Sequence, residues 1–406
     1  MHKYIFRIIS LTLIIALILS FVGINGSVVA DSAIAISSKE DFNNIRNNLS
    51  GDYYLTCDIE FSLSDFASGG AYYNSGKCFV PIGDGKTPFT GTFDGNGYTI
   101  SGIKIAVSGY VYSMTVKAVG TEVAVASDDG WTGDYIINPN NPKLNVSPAV
   151  GVFGNNKGTI KNVNIEDCTI SARSSNNATL YIGGIAGHNN GDIFNCSVKN
   201  TVNGDTKSYI GGITGYQSGG NIKNCYVLGK IESEGVYGGV AGAVADGIAS
   251  ECYSEVMFTG TGAACFGQVD YYIQNYGMVR ECYYISDIEL SGFGDRLSTI
   301  NAKDPDYYLN FDYRYTWYMS GARRRPALKS SKVQDIKTGD LDGDENIDLE
   351  DLVLLAQYVA NWDVQSHTEV ANVNFDFADD GSDIVDLRDV TYLAQNVAGW
   401  SVSILY

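Results

Sequence analysis

A glycine-framed tetrad recurs through the middle of the chain, each time followed by an Asn or Glu and a small apolar residue. Gly151-Val152-Phe153-Gly154 leads to Asn162-Val163, and Gly184-Ile185-Ala186-Gly187 leads to Asn195-Cys196. Gly212-Ile213-Thr214-Gly215 leads to Asn224-Cys225, and Gly239-Val240-Ala241-Gly242 leads to Glu251-Cys252. A worn copy, Ala264-Cys265-Phe266-Gly267, leads to Glu281-Cys282. From Val163 to Cys282 the spacing runs 33, 29, 27 and 30 residues. A period of that size is the mark of stacked units.

Each unit is a set of short β-branched pieces broken by Gly or Asn, with no room for a crossover helix. One such unit cannot bury its apolar side alone, whereas stacked coils can. The expected fold is mainly β: a right-handed parallel β-helix (a solenoid), one coil per unit, with rungs ~4.8 Å apart. Val163, Cys196, Cys225, Cys252 and Cys282 would form one inward ladder, and Ile185, Ile213, Val240 and Cys265 another. Upstream, Ser38 followed by Asp41 resembles a capping box, with Phe42, Ile45 and Leu49 at helical spacing. That pattern predicts an N-terminal capping helix that plugs the open end of the solenoid.

The repeat is interrupted at 106–150, where Tyr110, Tyr112 and Met114 alternate before Asp128, Asp129 and Trp131. A side hairpin or long loop is expected there, either a binding element or a tolerated insertion. After Tyr284 the repeat fades into a Tyr-rich stretch, 304–326, read as a final coil and cap. Its Arg323-Arg324-Arg325 run reads as a solvated or aromatic-packed surface. A polar linker is expected over 330–338.

The first thirty residues have a basic start at Lys3 and Arg7, an apolar run over 8–22 and Val28-Val29-Ala30 before Asp31. This is the pattern of a secretory signal peptide over 1–30, with an uncleaved anchor as the alternative. Signal cleavage would leave no membrane span and a secreted, extracellular or scaffold-attached protein. The formal net charge is -19, and 340–406 alone carries fifteen Asp or Glu against Arg388. The remainder is nearly balanced, with no basic field for nucleic acid.

That acidic tail opens on Asp340-Leu-Asp-Gly-Asp-Glu-Asn-Ile-Asp-Leu-Glu-Asp. Asp340, Asp342, Asp344, Asn346, Asp348 and Asp351 stand at the first, third, fifth, seventh, ninth and twelfth places. Oxygen donors at those places suit an EF-hand-like loop for calcium, the expected cofactor. Leu352, Leu355, Val359 and Trp362 follow at helical spacing. The pattern is duplicated at an offset of 38, with Val390, Leu393, Val397 and Trp400. Counted back from Asp389 as twelfth, Asp386 is ninth, Ser382 fifth and Asp380 third, but Ala378 falls first. Starting at Asp376 makes the loop two residues too long. The second calcium site is either weaker or differently built.

Two resemblances follow from these motifs. The tail, 339–406, resembles a type I dockerin, a small α-helical domain with paired EF-hand-like calcium loops that docks on the cohesin domains of a scaffoldin. Places ten and eleven, which read the cohesin in that family, hold Leu349 and Glu350, and Leu387 and Arg388. The body, 31–329, resembles the GLUG repeat family through its Gly-framed tetrads, which implies a β-helix but no defined reaction.

The resemblances imply an exported assembly component. Its dockerin would dock calcium-dependently on a cohesin-bearing scaffold, and its β-helix would present a glycan- or protein-binding surface for polysaccharide breakdown or adhesion. A dockerin-borne β-helix polysaccharide lyase or glycoside hydrolase, and a surface adhesin with a degenerate calcium module, are the alternatives. No catalytic set assembles: His188 reads as a turn residue, and Asp128, Asp129 and Asp192 are scattered carboxylates. Of eight cysteines, four share one repeat position and read as a buried stack. Cys57 and Cys78 are the disulfide candidate.

Overall fold

The computed structural model describes residues 33–399, except 110–112, 116–133, 136–142, 148, 175–178, 205–207, 234, 260–263, 270–278, 322, 333–335, 345, 365, 376–377 and 379–381. The leader expected over 1–30 lies outside them, as do Asp128, Asp129, Trp131 and Trp400.

Parallel pairing dominates the body. Along one wall Phe153 pairs with Ala186, Ala186 with Thr214, Thr214 with Ala241 and Ala241 with Phe266. Along a second, Ala149 pairs with Tyr181, Tyr181 with Tyr209 and Tyr209 with Val236. Along a third, Asn164 pairs with Ser197, Ser197 with Tyr226, Tyr226 with Tyr253 and Tyr253 with Tyr283. The same repeat position meets itself in every case, so the body is a mainly β solenoid.

Both expected inward ladders form. Val163, Cys196, Cys225, Cys252 and Cys282 are all buried, as are Ile185, Ile213, Val240 and Cys265. Their backbones join rung to rung: Ile185 N donates to Ile213 O at 3.0 Å, Ile213 N to Val240 O at 2.9 Å and Val240 N to Cys265 O at 2.7 Å. The residue before each Cys turns the chain through the left-handed region. Asn162, Asn195 and Asn224 have φ of 52°, 51° and 52°, and Glu251 and Glu281 of 47° and 48°. Asn tolerates that conformation better than most side chains. Its amide also bonds along the axis, Asn195 Nδ2 to Asn162 Oδ1 at 3.1 Å and Asn224 Nδ2 to Asn195 Oδ1 at 3.2 Å.

The helix α1 (Lys39–Asn44) continues into a 3-10 turn at Ile45–Asn47. Ser38 Oγ accepts from Asp41 N at 3.1 Å, which fixes its start. Phe42 and Ile45 are buried, and the Phe42 ring lies 5.8 Å from Phe79 and 5.7 Å from Phe93. The interruption carries three short antiparallel strands, Ser113–Thr115, Asp134–Tyr135 and Lys143–Ser147. Solenoid pairing itself persists to Gly109 and resumes at Ala149.

Three expectations need correction, and a fourth resolves between its two readings. The 304–326 stretch is not a final coil. The chain turns back after Leu297 and runs lengthwise along the wall as a strap. Tyr308 stacks edge-on to Tyr283 and Tyr253; Trp317 packs on Tyr253 and Tyr226, and its Nε1 donates to Asn224 Oδ1 at 3.4 Å. Ser331 Oγ then meets Asn164 Nδ2 at 3.0 Å, and Lys332 N donates to Gly97 O at 2.7 Å. The outward Tyr226, Tyr253 and Tyr283 supply an apolar outer stripe that needs a cover, and the strap's aromatics bury it in a second core.

Of its two readings, the arginine run takes the aromatic-packed one rather than the solvated one. Arg323 lies over the Tyr226 ring at 5.3 Å, Arg324 is buried against the tail, and Arg325 is buried in a two-pronged ion pair with Glu255 at 2.8 and 3.1 Å. The 330–338 stretch is not a free linker, because Gly321 N donates to Ile336 O at 2.8 Å and Lys332 is fixed as above. Cys57 and Cys78 do not bridge. Cys57 Sγ donates to Ser37 O and Cys78 Sγ to Gly76 O, and all eight thiols are free.

Candidate functional site

The tail folds as two loop-helix halves. Helix α2 (Leu349–Val359) is started by Asp348, whose side chain accepts from Glu350 N at 2.8 Å. Asp351 closes the box by accepting from Asp348 N at 2.8 Å through Oδ2. Its other oxygen accepts from Leu341 N at 2.6 Å and Asp342 N at 3.2 Å, so one carboxylate pins both ends of the loop. Asp340 Oδ1 accepts from Gly343 N at 2.8 Å, where Gly343 takes a φ of 79°.

Asp340, Asp342 and Asp351 bring carboxylate oxygens within 4.8 Å of one another. Asp340 and Asp351 are 2 % and 1 % exposed. Burial pushes the Asp351 carboxyl up, against the pull of its three backbone donors. Concentrated, partly desolvated carboxylate oxygens fit a hard divalent cation such as calcium. Asp344, fully exposed, has its carboxyl held low by the Asn346 N–H, which donates at 2.8 Å. Asp348 serves the helix cap described above.

The second half repeats the frame with a different register. Helix α3 (Leu387–Val397) is started by Asp386, and Asp389 Oδ2 accepts from Asp386 N at 2.8 Å. Asp389 Oδ1 accepts from Val373 N at 2.9 Å and Asn374 N at 3.2 Å. These donors correspond to Leu341 and Asp342, so the first place is Asn372, not Ala378. The loop from Asn372 to Asp389 is six residues longer than that from Asp340 to Asp351. Ser382 is exposed, and its carbonyl accepts from Ala378 N inside the added stretch. Asp376 and Asp380 lie outside the described residues.

Leu341, Leu355, Val370, Val373 and Leu393 bury the two halves against each other. Trp362, expected on this face, is instead 64 % exposed. The four docking candidates open the two helices at equivalent positions: Leu349 and Glu350, Leu387 and Arg388, all exposed. Leu349 is 62 % and Leu387 71 % exposed, large apolar surfaces with no cover among the described residues. Arg388 forks onto Asp386 at 2.8 Å.

One feature of the body escaped the sequence reading. Tyr181 and Tyr209 share one repeat position, and His188 and Tyr216 another, and the four converge in a corner between walls. Tyr181 stacks on Tyr216 at 4.7 Å, with His188 5.6 Å from Tyr181 and 5.5 Å from Tyr216. His188 lies in a strand, Ala186–Asn189, not a turn, and bonds Asn155 Oδ1 at 3.0 Å and Ser218 Oγ at 2.6 Å. Asp192 is spent on Asn221, accepting from its N and Nδ2 at 2.9 Å. Among the described residues, the first loop is where three metal-ligating side chains converge.

The family model described as the GLUG motif matches 178–203 and 207–232, which hold two of the four Gly-framed tetrads. The chain is 30 % identical over 142 residues to a protein provisionally described as a Gly-rich membrane protein, of Evansella cellulosilytica; the match spans 35 % of this chain and 15 % of that one. It is 30 % identical over 172 residues to halomucin of Haloquadratum walsbyi, across 41 % of this chain and 2 % of that one. It therefore spans only a small part of these relatives. A solved structure provisionally described as an immunoglobulin A1 protease from Bacteroides ovatus overlays with a TM-score of 0.42 at 15 % identity, covering 75 % of this chain and 94 % of that one. No described helix is long and apolar enough to cross a membrane. The body carries GLUG motif repeats, wound as a β-solenoid.

Proposed function

We propose that this chain is an exported assembly component with a dockerin-type tail. Calcium held by the first loop orders the tail, and the helix starts dock on a cohesin-bearing scaffold. The carrying observation is the pairing of a converging carboxylate set with two uncovered leucines at equivalent helix starts, Leu349 and Leu387. Asp340, Asp342 and Asp351 would hold the ion, and Glu350 and Arg388 would add charge specificity at the rim of the contact. Calcium supplies the positive charge that lets these carboxylates crowd together.

The solenoid presents the binding face. The half-buried Tyr209, Tyr216 and His188 rings, backed by the buried Tyr181, support a glycan ligand, since sugar rings stack on aromatic faces. We read the body as a binding component, with a β-helix polysaccharide lyase or glycoside hydrolase as the alternative.

The test is surface plasmon resonance of the full chain over cohesins from the same genome, with calcium and with chelator. Binding in calcium that is lost in chelator, and weakened by L349E with L387E, is expected. Silence across the whole cohesin set sinks the docking reading. Affinity electrophoresis through pectin or xylan gels tests the body: Y209A with Y216A should run free of retardation where the parent is retarded.

A further inference from the structure

We propose that Arg324, carried by the body, is the resident cation of the tail's second half, so that the tail takes one metal ion rather than two and is fastened to the body at that point. The one-ion count rests on the calcium reading above; the fastening does not.

The second half keeps the frame of an ion loop but places amides where the first half has its first two carboxylates. Asn372 and Asn374 stand where Asp340 and Asp342 stand in the first half, as the matching bonds to Asp389 and Asp351 establish. Two carboxylates have become neutral amides, and the loop is six residues longer. Such a loop departs from the twelve-residue spacing, with carboxylates at its first and third places, on which this kind of ion site is built.

A positive group is already present. Arg324 leaves the hairpin formed by Trp317–Ser320 and Arg325–Leu328, with a φ of 53°. Its Nη1 donates to Asn372 O at 2.8 Å, and its Nη2 lies 3.4 Å from Asp383 Oδ2. Asn372 Nδ2 donates to the other oxygen of Asp383 at 3.3 Å, and the guanidinium lies 6.0 Å from the Phe375 ring centroid. The side chain is only 6 % exposed. The negative charges of Asp383 and Asp389 both offset the cost of burying it. A divalent ion at this loop would face a buried like charge, whereas the guanidinium already bonds Asp383 and the Asn372 carbonyl and sits in the field of Asp389.

Neighbouring contacts make the fastening a seam rather than a point. Ser320 bridges to Lys337, Gly321 N donates to Ile336 O, and a Cβ on Gly321 would run into Val370 of the tail core. Orientation of tail to body is therefore built in, so a docked scaffold would hold the solenoid in one attitude.

Two measurements on the full chain decide this. Equilibrium dialysis of metal-stripped protein against radioactive calcium should give one ion per chain, none for D351N and still one for D389N; two ions in the parent overturn the cation assignment. No ion in the parent sinks the calcium reading and the one-ion count with it, while the fastening stands or falls on the second measurement. That measurement is tryptic cleavage after Lys329, Lys332 and Lys337, followed with and without calcium. R324Q should speed cleavage about tenfold, because cleavage tracks the open population. D383N breaks the same pair from the tail side and leaves the body hairpin untouched, so it should do likewise, and the double variant should add little to either. Rates within about twofold of the parent for both single variants refute the fastening.

Discussion

Replacing Trp317 by Ala should loosen the strap from the solenoid wall. The indole is fully buried and packs on Phe311 at 4.7 Å, Tyr253 at 6.1 Å and Tyr226 at 6.2 Å. Truncating a buried Trp costs about 3–5 kcal/mol, from lost transfer energy and the cavity left behind. This site belongs at the upper end, because Tyr253 beside it and Tyr283 beyond Phe311 are themselves held by backbone bonds, which resist collapse into the cavity. Tyr253 Oη donates to Pro326 O at 2.6 Å, and Tyr283 Oη accepts from Leu309 N at 3.0 Å. With a urea slope of about 3 kcal/mol/M, the body's midpoint should fall by roughly 1.3–1.7 M. The assay is urea unfolding followed by far-ultraviolet circular dichroism, which reads the strands without depending on the lost indole. W317F should retain most of the stability. A midpoint shift below about 0.3 M for W317A would show that the strap contributes little and that the coils stand alone.

Chelating calcium should melt α2 and α3, seen as lost amide protection over 349–359 and 387–397, while the solenoid strands stay protected; unchanged tail protection contradicts the calcium loop. Alkylation of the native protein should mark Cys57 alone, because the other seven thiols are buried and burial pushes the Cys168 thiol up to about 12. Labelling of any ladder cysteine at the Cys57 rate refutes the packed ladder. Acid should fray α1: the Ser37 backbone N–H, then the Ser38 and Ser37 hydroxyls, hold the Asp41 carboxyl below its ordinary 3.8. A depressed carboxyl contributes stability above its unfolded pKa and loses it as pH falls through the folded one. Exchange of the Phe42 and Ile45 amides, corrected for intrinsic rates, should therefore rise below about pH 3.8 in the parent and show no such step in D41N.

What could be read from the residues was what repeats or caps locally. The tetrads gave the period, the period gave the ladders, and Ser38 with Asp41 gave the first helix. The duplicated α2 and α3 were visible because their apolar spacing survives intact. The strap was not, since its fixing contacts lie far away in the chain and no periodicity announces them. The second loop was misregistered for a related reason: counting back from Asp389 assumes a fixed loop length, and only the bonds from Val373 and Asn374 reveal the added residues. Arg324 looked like surface because a charged run next to a Pro ordinarily is. The aromatic corner was within reach, for Tyr181 and Tyr209, like His188 and Tyr216, are 28 residues apart.

The strap also sets an order of events. Adjacent coils meet across separations such as the 33 residues between Asn162 and Asn195, but Ser331 reaches Asn164 across 167. Closing the longer span costs about 1.4 kcal/mol more in chain entropy. Coils can therefore wind first, and the strap settles onto a wall that is already formed. Contacts made late leave the rate of winding almost untouched and instead slow the reverse step. The outer aromatic core is thus a latch on unfolding, one that lengthens the lifetime of the folded body without making it quicker to form.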